Sequence, residues 1–92
     1  MRVDRRGLRK RKRQKDVLRA SLHLVTFVET NIRHKVFDED ARRPILDLRE
    51  YLKTLQAGAK RLKFPDEELN ALVAELDSRI ARIESESGNW LH

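Results

Sequence analysis

Apolar residues recur every three or four positions in three stretches of the chain, which is the spacing of amphipathic helices. In the first stretch they are Val17, Leu18, Leu22, Val25, Val28, Ile32 and Val36, and Leu24 widens the same face. This spacing predicts a helix over residues 16–36. The many β-branched residues leave a strand over residues 22–28 as the competing interpretation.

The second stretch has the most regular pattern. Its apolar positions alternate three and four residues apart, as in a coiled-coil seam: Ile45, Leu48, Leu52, Leu55, Ala59 and Leu62. We expect a helix over residues 41–63, with the acids of residues 38–40 near its positive end. Pro44 is expected in the first turn, because a proline deeper in a helix clashes with the preceding turn and removes a hydrogen bond.

The third stretch follows a break at Phe64 and Pro65. Its apolar face consists of Leu69, Leu72, Val73, Leu76, Ile80 and Ile83. The pattern predicts a helix over residues 65–87, with Pro65 at the first helical position and Gly88 just beyond the last.

Three helices of similar length with short connections predict an all-α fold, a small antiparallel three-helix bundle. A helical hairpin plus a separate helix, stabilised within an oligomer, is the alternative. A chain of 92 residues has room for one small core. We therefore expect self-association or a protein partner to add stability.

Charge divides the chain into two parts. Residues 1–15 contain nine lysines and arginines and one acid, which gives a net charge of +8. Residues 16–92 contain twelve lysines and arginines and fourteen acids, which gives a net charge of −2. Residues 1–15 are therefore a basic N-terminal arm, and residues 16–92 form a nearly neutral helical body. All residues from Leu8 to Lys15 are good helix formers, so the arm is able to extend the first helix.

The arm predicts binding to nucleic acid. Its cations are too many for Asp4 and Asp16 to neutralise, and phosphate groups are their natural counter-charge. The candidate phosphate-binding residues are Arg2, Arg5, Arg6, Arg9, Lys10, Arg11, Lys12, Arg13 and Lys15. The arm has no aromatic residue for base stacking, so we expect sequence-independent backbone contacts to RNA or DNA. The alternatives are a solubilising tail and an arm that meets an acidic protein or an anionic membrane surface.

A second row of cations lies along the predicted second helix. Arg42, Arg49, Lys53 and Lys60 fall within about 20° of one line at 100° per residue. This row would extend the phosphate-binding surface of the arm. The alternative is that it forms the solvated flank of the apolar seam.

Two surfaces are candidates for a protein interface. The back of the third helix carries small residues at heptad spacing, which allow another helix to approach closely: Ala71, Ala74, Ser78, Ala81 and Ser85. Ordinary surface positions of a stable helix are the alternative. Phe27 lies opposite the apolar stripe of the first helix and is a candidate contact residue.

The sequence predicts neither an enzyme nor a bound cofactor. It has no cysteine, no phosphate-binding glycine loop and no nucleophile elbow. His23 and His34 are about 16 Å apart along one helix, too far to share a metal ion. The apolar residues 17–28 are too few to cross a bilayer. The body also lacks the large Trp/Phe-rich amphipathic face that usually accompanies basic membrane anchoring, so a membrane is not the expected partner. We expect a cytoplasmic protein, or a nuclear one in a eukaryote.

Overall fold

The computed structural model describes residues 5–59 and 66–91, with side chains for residues 9–58 and 66–91. The described residues form three helices and no strand: α1 (Arg5–Arg33), α2 (Glu39–Ala59) and α3 (Glu67–Ser87). This confirms the predicted all-α three-helix bundle. The competing strand over residues 22–28 is wrong, since that segment lies inside α1.

Consecutive helices are antiparallel, so α1 and α3 run in the same direction. Lys15 contacts Asp66 at the start of α3, and Arg79 contacts Thr26 further along both helices. By contrast, Arg42 near the start of α2 contacts Trp90, which follows α3. The start of α1 and the end of α2 therefore lie at the same end of the bundle.

The core follows the predicted apolar faces. Its buried residues are Leu18, Val25, Val28, Ile32, Ala41, Ile45, Leu48, Leu52, Leu55, Leu69, Val73, Leu76, Ile80, Ile83 and Leu91. Val17 and Val36 differ from the prediction, with 44% and 51% of their surfaces exposed. Val17 lies at the edge of the apolar stripe, and Val36 follows the end of α1. The predicted seam positions Ala59 and Leu62 lie outside the described side chains.

The arm is continuous with α1, which begins at Arg5 and passes Asp16 without interruption. The contact between Lys15 and Asp66 places residues 5–14 beyond the first turn of α3. At 1.5 Å per residue, this part of α1 projects by about 15 Å. The helical arm is thus an extension of the bundle along its longest dimension, which measures 54 Å.

The first helix ends at Arg33, three residues earlier than predicted. The N–H of Val36 donates to the carbonyl of Asn31 at 2.7 Å, and the N–H of Lys35 donates to that of Ile32 at 2.9 Å. These two bonds form a Schellman motif, which places Lys35 in the left-handed region at φ 59°. The motif satisfies carbonyls at the end of α1 and turns the chain toward α2.

The second helix corrects the prediction for Pro44. Asp38 accepts the N–H of Asp40 at 3.0 Å, and this bond caps α2 so that it begins at Glu39 rather than at residue 41. Pro44 consequently lies in the second turn, where it has no N–H to donate to the carbonyl of Asp40. The predicted extension of α2 to residue 63 lies partly outside the described residues.

The third helix begins at Glu67, two residues later than predicted. Asp66 is its N-cap and accepts the N–H of Leu69 at 3.1 Å. Pro65 itself lies outside the described residues. At the other end, Gly88 directly follows the last helical residue, Ser87, as the sequence predicted. Its φ is 65°.

Candidate nucleic-acid interface

Four cations of the projecting part of α1 are exposed: Arg9, Lys10, Lys12 and Arg13. At 100° per residue they cover about 160° of the helix circumference. Within the described residues none of them forms an ion pair. Arg11 is half-buried. The projecting part of α1 thus presents positive charge to solvent over nearly half of its circumference.

The remaining arm residues are placed less fully. Arg5 and Arg6 belong to α1, but their side chains lie outside the described part, and Arg2 lies outside it altogether. The candidate cations of the arm whose side chains the structure describes are therefore the five from Arg9 to Arg13, together with Lys15.

Lys15 corrects the expectation that every arm cation needs an outside anion. Its Nζ lies 2.8 Å from Oδ2 of Asp66 and 3.5 Å from Oε2 of Glu68. The hydrogen bond from Lys15, followed by the one from the N–H of Leu69, holds the pKa of the Asp66 carboxyl below its ordinary value. The acids of α3 are close to Lys15 because α1 and α3 are parallel and in this register.

Arg19 strengthens the same junction. It pairs with Glu68 of α3 and with Asp16 of its own helix, the latter at 3.2 Å. The first turn of α3 thus neutralises the cations at the base of the arm. In the described part of the arm, the unpaired cations therefore lie N-terminal to Lys15.

The residues of the predicted cation row on α2 do not all face solvent: the two arginines contact other parts of the bundle, whereas Lys53 is exposed. Nε of Arg42 donates to the carbonyl of Trp90 at 2.6 Å, and Arg49 forms an ion pair with Glu84 of α3. Both arginines therefore hold α2 and α3 together. Lys53 is exposed and lies 3.5 Å from Glu50, while Lys60 lies outside the described residues.

The two predicted protein-binding surfaces are both exposed. Ala71, Ala74, Ser78, Ala81 and Ser85 lie on the outer face of α3, and Phe27 has 51% of its surface exposed on the outer face of α1. Val17 and Ala20 are exposed on the same side of α1 as Phe27. The sequence interpretation missed this second face because it assigned Val17 to the core stripe.

Arg79 is a second contact that local spacing did not reveal. Its Nε donates to Glu29 of α1 at 3.1 Å and its Nη2 donates to Oγ1 of Thr26 at 3.0 Å. Glu29 accordingly raises the pKa of the Arg79 guanidinium. The neighbouring Glu75, its partner at i−4, is 3.8 Å away. Arg79 therefore links the middle of α3 to α1.

In the part of the chain that the structure describes, no group of three histidines, cysteines or acids is arranged to hold a metal ion. Among the helices described, none has a stretch both long and apolar enough to span a bilayer.

Comparison of the chain with models of known protein families found no match. Comparisons with curated proteins and with solved structures also found none. The functional proposal therefore depends on the charges and surfaces of the chain itself.

Proposed function

We propose that this protein is a non-enzymatic accessory or adaptor protein that binds nucleic acid through phosphate contacts of its basic arm. The observation that supports this proposal is the exposed row of Arg9, Lys10, Lys12 and Arg13 on the part of α1 that projects beyond α3. The bundle acts as the scaffold that holds this row and docks it within a larger complex.

The physical basis is the release of counterions. Each phosphate that is neutralised by a lysine or arginine frees condensed cations, which makes binding favourable and strongly salt-dependent. A helix that presents cations over about 160° of its circumference contacts phosphates without requiring one orientation of the bases. Binding is therefore largely independent of sequence.

The test is to measure affinity for a 20-base-pair duplex at several salt concentrations, for the intact chain and for a variant in which the four exposed cations become glutamine. Glutamine is a good helix former, so the variant keeps the propensity of α1. The logarithm of the binding constant should fall steeply with the logarithm of salt for the intact chain. Each lost contact should flatten the slope by about 0.9.

Single substitutions provide a matched control. Arg13→Gln should flatten the slope by about 0.9, whereas Arg43→Gln should leave it unchanged. Arg43 is also an exposed arginine on a helix, but it pairs with Asp47 on α2 at 3.3 Å. Equal effects of the two substitutions, or binding that is insensitive to salt, would refute the proposal.

A second candidate function is assembly with a helix of a protein partner, with the arm meeting an acidic surface of that partner. The exposure of Val17, Ala20 and Phe27 on one side of α1 favours it. Light scattering tests self-association as one form of this assembly. If the chain associates with itself through this face, Phe27→Lys should abolish the association, whereas Thr54→Lys, an exposed position on α2, should leave it unchanged.

A further inference from the structure

A second group of cations surrounds a cavity at the end of the bundle opposite the arm. The cavity has a volume of about 440 Å³ and is lined by residues of α1, of the turn that follows it, and of α3. Its cations are Arg33, Lys35 and Arg82, and Ile32 and Phe37 supply apolar surface. All three cations are exposed.

Two acids and three cations line this cavity, so the acids neutralise the cations only in part. Glu29 is engaged by Arg79, and the other acid of the lining is Glu86. Within the described residues, no ion pair involves any of the three cations of the cavity. The cavity therefore has an excess of positive charge and space for an anionic group.

The Schellman motif that ends α1 also places Lys35 in the lining of this cavity. Lys35 is the one non-glycine residue with positive φ in the part of the chain that the structure describes. Glycine is the residue that this conformation favours, so a lysine here holds its charge at the cavity at a cost in stability.

The cavity lies in line with the arm. Lys12, Arg19, Thr26 and Arg33 follow one another at seven-residue intervals along α1. Because seven residues fall about 20° short of two turns, Lys12 and Arg33 are about 60° apart around the helix and about 32 Å apart along it. Arg19 and Thr26 both contact α3, so this line follows the junction of the two helices.

Among the described residues, the cations in the middle of the line are paired, whereas those at its two ends are not. Arg19 is paired with Glu68, and Arg79 is paired with Glu29. Along this junction, the described cations without an ion pair are those of the arm N-terminal to Lys15 at one end and Arg33, Lys35 and Arg82 at the other. The two ends are separated by about one turn of B-form DNA, which is about 34 Å long.

We propose that the cavity is a second phosphate-binding site, so that a DNA duplex lying along the junction of α1 and α3 is contacted twice, one helical turn apart. This inference rests on the proposed function, since it presumes that the arm binds nucleic acid. It names the substrate class as duplex DNA, whose rigid pitch matches the separation of the two sites.

The test compares duplexes of 20 and 8 base pairs with a 20-nucleotide single strand. On the 20-base-pair duplex, Arg33→Gln and Arg82→Gln should each flatten the salt dependence by about 0.9, while Arg43→Gln should not. Eight base pairs extend about 27 Å, which is too short to reach both sites. The two substitutions should therefore have little effect on this duplex.

The possible outcomes separate this inference from the proposed function. If the intact chain shows no salt-dependent binding, the proposed function fails and the inference fails with it. If the arm variants lose binding but Arg33→Gln and Arg82→Gln match the intact chain on 20 base pairs, only the second site is refuted. If Arg33→Gln and Arg82→Gln weaken binding to the 20-nucleotide single strand as much as binding to the 20-base-pair duplex, the match to the duplex pitch is refuted. Circular dichroism of each variant establishes that it remains folded.

Discussion

Substitution of Lys35 by glycine should stabilise the bundle, because it removes the side chain that opposes the left-handed backbone at φ 59°. The left-handed conformation costs an L-residue about 1–2 kcal/mol. The greater freedom of glycine in the unfolded chain offsets about 0.4–1 kcal/mol of that gain. The expected net gain in the free energy of unfolding is about 0.5–1 kcal/mol, equivalent to a rise in Tm of about 2–8 °C for a domain of this size.

The control for this prediction is Lys35→Ala. Alanine removes the same positive charge from the negative end of α1 but keeps a Cβ atom, so it retains the backbone cost. Urea unfolding should therefore rank Lys35→Gly above both the intact chain and Lys35→Ala. A glycine variant that is no more stable than the alanine variant would contradict the proposed role of the backbone conformation.

Binding should change in the opposite direction. If Lys35 contributes to the second phosphate site, both Lys35→Gly and Lys35→Ala should weaken binding to a 20-base-pair duplex and flatten its salt dependence by about 0.9. The glycine variant would then be the more stable protein and the weaker binder. Unchanged binding would remove Lys35 from the proposed site without affecting the stability prediction.

Three further substitutions test the ends and the register of the helices. Pro44→Ala should stabilise α2 by about 1–2 kcal/mol, measured by urea unfolding, because alanine restores an N–H donor toward Asp40 in the second turn. Asp66→Asn keeps an N-cap but removes the charge that pairs with Lys15, so it should lower stability by about 1 kcal/mol at pH 7. Because Lys15 and the N–H of Leu69 hold the folded pKa of Asp66 below its ordinary value, this difference is full above the unfolded pKa and should shrink as the pH falls through the folded value. A difference that stays constant as the pH is lowered from 7 through the acidic range would count against the pairing. Arg79→Lys should cost about 1 kcal/mol, because lysine keeps the charge but lacks the planar group that reaches both Glu29 and Thr26; thermal unfolding with no change in Tm would show that this contact does not stabilise the bundle.

The core could be predicted from the sequence because burial follows helical periodicity. Leu48, Leu52 and Leu55 are buried where the seam places them, since every third or fourth residue of a helix returns to the same face. The ends of the helices were less predictable. Lys35 and Asp38 define them through local hydrogen bonds that a residue type permits but does not require.

Which cations are paired, and which lie close together, depends on the tertiary structure and could not be predicted from the sequence. The sequence shows an uninterrupted basic arm, but Lys15 is paired with a residue 51 positions away. Likewise, Arg33 and Arg82 are far apart in the chain and share a cavity only because α1 and α3 are parallel. Local spacing identifies partners within a helix, whereas the register between two helices is set by the packing of their apolar faces.

The projection of the arm makes the molecule a permanent electric dipole. Residues 5–15 contain eight cations and no acid, and residues 16–92 have a net charge of −2. This separation lies along a molecule that is 54 Å long and only 20 Å wide. The field of a polyanion exerts a torque on such a dipole, so the protein turns its arm toward the polyanion before the two touch. Salt should therefore slow the rate of association, in addition to weakening the complex once it has formed.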